Sequence, residues 1–166
     1  IKAISPSLDE RFTVSQKTVL KKQQALAVSA KGVNEDYHHI EKIELAYGRF
    51  MRSIDVKEHK NVVVIGDKLA NEVFGKSDVV GEQITFNYNG QNLVFTIIGV
   101  QVPPKNSILS GFNQGHSVYV PYTVIKRLTN ASDIVYFSEF SVFPEVNKAD
   151  IQERIPQCLA QKHETK

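Results

Sequence analysis

The segment from Asn61 to Val100 constrains the fold more than any other part of the chain. It begins with the apolar run Asn61–Ile65, which is typical of a strand that is buried on both faces. The apolar residues that follow recur at helical spacing, and the pattern predicts a helix that Asp67 caps and Gly75 ends. The first half of the segment therefore predicts a buried strand followed by a short amphipathic helix.

The second half of this segment predicts a β-hairpin. Residues 84–88 alternate between apolar and polar types, and Asn89-Gly90 follows them directly. That dipeptide favours a type I′ turn, because both central positions of the turn need positive φ. The return strand runs from Leu93 to Val100, and Gly99 within it indicates a bulge or a close backbone contact. The segment holds no obvious reactive group, so we interpret it as a scaffold.

The flanking segments carry further strand and helix patterns. Alternating or extended patterns predict strands at Ile1–Pro6, Arg11–Ser15, Ala25–Lys31 and Ile134–Phe143. Apolar residues at helical spacing predict a closing helix over residues 151–159. Strands and helices therefore occur together, which predicts an α+β fold.

Composition and charge exclude several classes of protein. The net charge of +2, without a cluster of Lys and Arg among aromatic residues, argues against nucleic acid as a partner. Cys158 is the single cysteine, which excludes an internal disulfide and a cysteine-based metal cluster. Gly75-Lys76-Ser77 resembles part of a phosphate-binding loop, but Ala70 occupies the position of the first required glycine. The sequence thus predicts no nucleotide site.

The histidines do not form a recognisable catalytic or metal-binding pattern. His38 and His39 are adjacent, and adjacent side chains do not converge on one metal ion from a helix. With Glu35, Asp36 and Glu41 nearby, a solvated polar face is favoured over a surface metal site or a hydrolase. We therefore assign no catalytic, cofactor-binding or metal-binding residue, and we predict neither a cofactor nor an enzymatic activity.

Several motifs in fixed order resemble a known family. They are GVNEDYHHIEKIELAYGRF, VVVIGDKLANEVFG, VGEQITFNYNGQNLVFTIIGV and VYVPYTVIKRL. The positions that carry the likeness are Gly32-Val33, Tyr37, Gly48-Arg49-Phe50, Val62–Gly66, Phe74-Gly75, Val80-Gly81, Ile84, Ile97–Val100 and Tyr119-Val120-Pro121. Each motif alone is weak, but their order and spacing together resemble the extracytoplasmic core domain of MacB-type ABC transporter permeases.

The resemblance implies a particular α+β architecture with two lobes. A porter-like α/β lobe would comprise residues 1–32 and 117–166, from both ends of the chain. A β-rich, sabre-like lobe, with the strand–helix–hairpin segment as its core, would comprise residues 33–116. Family members carry a further strand and helix before the segment that matches Ile1–Pro6, so the N-terminal part of the first lobe is expected to be incomplete.

The resemblance also implies a function. Such a domain is inserted after the first transmembrane helix of a permease and faces the periplasm or the outer surface of a bacterial cell. It is not catalytic, and it couples ATP hydrolysis in the cytoplasm to conformational change in export or mechanotransmission. The implied partners are an ATP-binding subunit or domain, a membrane-fusion or adaptor-type protein, and a second permease copy in a homodimer. The alternative is a free-standing soluble module that binds a peptide or a lipid.

Partner contacts are predicted in the aperiodic segment Val102–Gly115. Ile108, Leu109 and Phe112 are apolar residues within this long loop, and such a composition is typical of a docking surface. The alternative is that the three side chains pack into the core and that the loop only connects two strands. Arg49 has two interpretations as well, a structural ion pair, which we favour, or a partner contact.

Overall fold

The computed structural model describes residues 3–15, 25–102, 116–130 and 137–141. The elements in chain order are β1 (Ala3–Ser15), β2 (Ala25–Val33), α1 (Tyr37–Ile40), β3 (Leu45–Gly48), α2 (Ser53–Lys57), β4 (Val62–Gly66), α3 (Asp67–Phe74), β5 (Gln83–Tyr88), β6 (Gln91–Gln101), β7 (Ser117–Pro121), α4 (Tyr122–Thr129) and β8 (Phe137–Ser141). This is a mixed α+β fold that is rich in strands, as the sequence predicts. The predicted closing helix and Cys158 lie outside the described residues.

Six of the strands pair in a closed ring. Their order is β2-β7-β4-β6-β5-β1, and β1 also pairs with β2, which closes the ring. The seam between β1 and β5 is short, because it contains only the pairs Thr13–Asn87 and Val14–Phe86 among the described residues. β3 adds to β6, and β8 adds to β1, both outside the ring. The ring is therefore a small barrel with two attached strands.

The main hydrophobic core lies inside the barrel. The Phe12 ring packs against those of Phe86 and Phe95, with centroids 5.7 and 6.3 Å apart. Two helices contribute further buried residues, which are Leu69 and Ala70 from α3, and Val124 and Ile125 from α4. Helices this short would be only marginally stable in isolation, and packing of their apolar faces against the core stabilises them. The same core contains buried residues of β1, β2 and β7 together with those of β4, β5 and β6.

A second, smaller core lies on the outer side of the barrel wall. It consists of Val33, Tyr37, Phe50, Met51, Val56, Val64 and Ile98. The helices α1 and α2 and the turn before α2 provide most of these side chains. β4 therefore faces a core on both sides, since Val63 and Ile65 point into the barrel and Val64 points into the outer core. This confirms the prediction of a strand that is buried on both faces.

The turn and glycine signals of the segment Asn61–Val100 are confirmed. Gly75 follows α3 in the left-handed region, with φ of 72°. Asn89 and Gly90 have φ values of 47° and 83°, as a type I′ turn requires. At Gly99 the register of β6 against β4 shifts, and a Cβ atom there would lie 2.4 Å from the Arg49 carbonyl oxygen. The glycine is thus needed both for a bulge and for a close backbone contact.

Two local predictions are wrong. α3 begins at Asp67 itself with Gly66 as its N-cap, so Asp67 lies in the first turn rather than at the cap. The reason is that β4 pairs with β6 as far as Gly66, and no residue is left between strand and helix. The segments Ile1–Pro6 and Arg11–Ser15 were expected to be separate strands, but the residues between them continue as β1. Pairing with β8 and then with β2 keeps that strand extended.

Candidate functional site

The predicted contact residues Ile108, Leu109 and Phe112 lie outside the described residues, so the loop prediction stays a prediction. The structure does describe the residues that flank this segment, Val102 and His116. At one end, the Val102 N–H donates to the Glu44 carbonyl oxygen, at 2.9 Å. At the other, His116 Nε2 lies 2.6 Å from a carboxylate oxygen of Glu72 on α3. Val102 and His116 are therefore each held by a contact with another part of the fold.

A shallow groove of about 330 Å³ lies next to the second of these contacts, on the outer wall of the barrel. It is lined by Asp9, Ser29, Lys31, Tyr37, Ser117 and Tyr119. The strand register explains why they meet. Asp9, Lys31 and Tyr119 form one row across β1, β2 and β7, and Ser29 and Ser117 are partners in a neighbouring row.

The chemistry of the groove is polar and aromatic. Lys31 Nζ donates a hydrogen bond to the Tyr37 hydroxyl at 2.8 Å and lies 5.1 Å from the centre of the Tyr37 ring. The Tyr37 and Tyr119 rings pack with their centroids 5.5 Å apart. The lining therefore places a carboxylate, an ammonium group and hydroxyls beside two tyrosine rings that pack on each other. Sequence analysis missed this groove, because only the register brings its rows together.

The adjacent histidines lie at the edge of the outer core. The His38 ring packs 5.2 Å from the Phe50 ring, and its Nδ1 lies 2.7 Å from the Glu35 carbonyl oxygen. The His39 ring contacts the His38 ring, with centroids 3.7 Å apart and the ring planes tilted by 40°. Within the described ranges, no group of three or more His, Cys, Asp or Glu residues is placed to hold a metal ion. The contacts of His38 are those of a packing residue.

Asp55 is a buried carboxylate at the centre of an ion network that links the turn before α2 to the helix. Its Oδ2 accepts hydrogen bonds from Arg49 Nη1 at 2.8 Å and from the Arg52 N–H at 2.9 Å. Lys60 Nζ lies 3.8 Å from Oδ1. Arg49 also donates to the Phe50 carbonyl oxygen, so it is a structural ion-pair residue, as one of its two interpretations predicts.

Two opposing effects act on the Asp55 carboxyl group. Burial alone raises its pKa, but the hydrogen bonds from Arg49 and Arg52 and the charges of Arg49 and Lys60 outweigh burial. The pKa of Asp55 is therefore lowered from its ordinary value of 3.8. The sequence patterns described above do not single out Asp55. The available signal was an acidic residue at the third position of a short helix, where its side chain reaches back to the N-cap amide.

Residues 1–157 match the family model described as the MacB-like periplasmic core domain. Among relatives, the "Macrolide export ATP-binding/permease protein MacB" of Neisseria gonorrhoeae is 31% identical over 122 residues, which is 73% of this chain and 18% of that protein. The chain thus spans less than a fifth of the length of this relative. In the described part of the chain, no helix has the length and apolar character that a membrane span requires.

Two solved structures share the fold. The crystal structure of the periplasmic region of MacB from Actinobacillus actinomycetemcomitans has a TM-score of 0.74 at 18% identity and covers 98% of this chain and 68% of that one. The extracellular domain of the noncanonic ABC-type transporter YknZ from Gram-positive bacteria has a TM-score of 0.65 at 20% identity and covers 92% of this chain and 70% of that one.

These comparisons define the class of protein as an extracytoplasmic domain of an ABC transporter permease. More specifically, the chain belongs to the family of MacB-like periplasmic core domains. The family resemblance that the ordered motifs indicate is thereby confirmed.

Proposed function

We propose that this chain couples ATP hydrolysis in the cytoplasm to conformational change in an export permease. The family match over residues 1–157 carries the proposal. A domain on the far side of the membrane from ATP can contribute only by changing its shape or its contacts, because it cannot reach the nucleotide. The barrel core includes buried side chains of α3 and α4, and a closely packed core of this kind resists deformation and suits that role.

The partners follow from the same assignment. They are an ATP-binding subunit or domain, a second permease copy and a membrane-fusion or adaptor-type protein. Relatives carry the name of macrolide exporters, which makes macrolides the first substrate class to test for the intact transporter. The alternative of a free-standing module that binds a peptide or a lipid is not favoured, because the family is one of permease domains. Long apolar segments on both sides of this domain in the parent chain would discriminate between the two.

The two-lobed arrangement is part of the proposal. Residues 1–32 and 117–166 would form the porter-like lobe, and residues 33–116 the sabre-like lobe. The pairing of β8 with the first part of β1 supports a unit that both chain ends build. The barrel core joins strands from both sets, so a boundary between the lobes crosses packed side chains. Amide hydrogen exchange across a urea series tests it, since loss of protection at different urea concentrations in residues 1–32 with 117–166 and in residues 33–116 would support this division. Loss of protection in both sets at one urea concentration would contradict it.

The coupling proposal is tested in the intact permease reconstituted in lipid vesicles. We expect that deleting residues 1–157 abolishes ATP-driven export of a macrolide while the ATP-binding part still hydrolyses ATP. Export that persists after the deletion would overturn the proposal. A variant with Glu58→Gln, a change of one exposed carboxylate, is the matched control and should export normally.

The loop contact is tested separately. A photoreactive amino acid at position 109 should crosslink the intact transporter to its adaptor, whereas the same group at Thr85, an exposed position on β5, should not. Absence of a crosslink from position 109, when other surface positions do capture the adaptor, would assign Ile108, Leu109 and Phe112 to the core instead.

A further inference from the structure

β1 changes its pairing partner partway along its length. Residues Ala3–Ser7 pair with β8, and residues Leu8–Ser15 pair with β2 in the barrel. The strand has 13 residues and is continuous through the change. At roughly 3.3 Å per residue it spans about 43 Å. One continuous strand therefore pairs with the barrel along one part of its length and with β8 along the other.

Buried serines lie on β1 just before the change of partner. Ser5 and Ser7 are 0% and 3% exposed, although both carry a polar hydroxyl. The Ser5 hydroxyl accepts a hydrogen bond from the Asn34 N–H at 3.1 Å and donates one to the Pro6 carbonyl oxygen at 3.0 Å. A hydroxyl at a fully buried position is tolerated when it is hydrogen-bonded in this way.

Asn34 connects this point to the rest of the fold. It follows β2 directly, and its side-chain Oδ1 accepts the Asp36 N–H at 3.0 Å just before α1. α1 in turn lies against both β1 and β8. The Ser5–Asn34 hydrogen bond therefore joins the part of β1 that pairs with β8 to the point where the barrel strand β2 ends.

We propose that β1 is the strut that transmits displacement between β8 and the barrel, and that the Ser5–Asn34 hydrogen bond sets the angle between them. The strand is held by ladder hydrogen bonds on both sides of the junction, so relative movement is concentrated where the partner changes, between Ser7 and Leu8. A change of angle there must stretch or break the bond from Asn34 to Ser5. The inference rests on the proposed coupling function and names the element that carries the movement.

The test is amide hydrogen exchange followed by NMR in the full chain with Ser5→Ala. We expect exchange of the Asn34 amide and of the β8 amides to accelerate by about tenfold, while the amides of β4 and β6 keep their protection. Ser7→Ala is the matched control. Ser7 is buried on the same strand, but the Asn34 N–H donates to Ser5 and not to Ser7. It should leave the Asn34 amide unchanged.

The other outcomes overturn the inference. Unchanged exchange in Ser5→Ala means that the bond does not hold the junction. Loss of protection in β4 and β6 as well means that Ser5 supports the whole fold and not the angle. Equal effects of Ser5→Ala and Ser7→Ala mean that any buried hydroxyl on this strand has the same role.

The intact permease separates this inference from the proposed function. Ser5→Ala should lower the amount of substrate exported per ATP hydrolysed, and Ser7→Ala should not. If the unaltered permease shows no ATP-driven export, the proposed function fails and the exchange experiment alone decides whether β1 is a hinged strut. If export is normal and Ser5→Ala matches the unaltered protein, the strut inference fails and the function stands.

Discussion

Asp55→Asn removes the charge from a carboxyl group that is almost fully buried but leaves its shape. The side chain of Asp55 is 3% exposed, and its Oδ2 accepts hydrogen bonds from the Arg49 guanidinium and from the Arg52 backbone amide. An amide oxygen still accepts from the Arg52 N–H, whereas the ion pair with Arg49 is lost. We therefore expect the variant to fold with a lower free energy of unfolding.

The magnitude follows from the two bonds. A hydrogen bond to a charged group contributes about 1.5–3 kcal/mol, and the low end applies because the Arg49 side chain is 38% exposed. Asp55→Asn should therefore cost about 1.5 kcal/mol at neutral pH. Asp55→Ala also leaves the Arg52 amide without this acceptor, which adds about 1 kcal/mol, the usual cost of losing a capping side chain. The expected order of stability is unaltered protein, then Asn, then Ala.

The pH dependence gives an independent check. The pKa of Asp55 is lowered in the folded protein, so the unfolded chain binds the proton at a higher pH than the folded one does. The stabilisation by the Asp55 charge is thus complete above the ordinary value of 3.8 and is lost as the pH falls through the lower, folded value. The difference between the unaltered protein and Asp55→Asn should shrink below about pH 4.

Urea unfolding followed by circular dichroism at pH 7, 5 and 3 measures these differences. Glu58→Gln is the matched control on the same short segment, because the Glu58 side chain is 55% exposed and its pair with Lys60 lies at the surface. It should change the free energy of unfolding by less than about 0.5 kcal/mol. An Asp55→Asn difference below about 0.5 kcal/mol at pH 7, or one that is equal at pH 7 and pH 3, would refute the reasoning.

The remaining predictions concern backbone conformation and a tyrosine. Gly48→Ala should destabilise the fold far more than Gly75→Ala in thermal unfolding. Both positions have positive φ, but only at Gly48 would an added Cβ clash with a backbone atom, the Ile98 carbonyl oxygen. Gly75→Ala should cost about 1–2 kcal/mol, and equal losses would contradict the steric argument. Burial, and then the charge and hydrogen bond of Glu10, raise the pKa of Tyr88 above 10.0. The stability that Tyr88 contributes is present below pH 10 and is lost as the pH rises through its pKa in the folded protein. Glu10→Gln removes the charge of Glu10, so it should lower the Tyr88 pKa in an ultraviolet absorption titration.

Local rules were sufficient where a conformation depends on one or two residues. The hairpin at Asn89-Gly90 and the helix end at Gly75 follow from positive φ, which few residue types adopt. The burial of β4 on both faces follows from its continuous apolar run. The order of such motifs was specific enough to indicate the family, which the match over residues 1–157 confirms.

Local rules failed where the conformation depends on a distant partner. The stretch between Pro6 and Arg11 has no strand signal of its own, yet it is extended because β8 and β2 pair with it. The N-cap of α3 is Gly66 and not Asp67, because Gly66 is still paired with β6. The burial of Asp55 depends on the packing of α2 against the outer core, which the local sequence does not specify.

By itself, the sequence indicated the strand–helix–hairpin pattern of Asn61–Val100 and the family to which the chain belongs. The closure of the barrel by the pairing of β1 with β2, the groove beside Tyr119 and the change of partner along β1 were decided by the tertiary structure. The physical reason is one of range. Periodicity and φ preferences act over a few residues, whereas strand pairing and burial depend on which distant segments meet, and one alternating pattern is compatible with many partners.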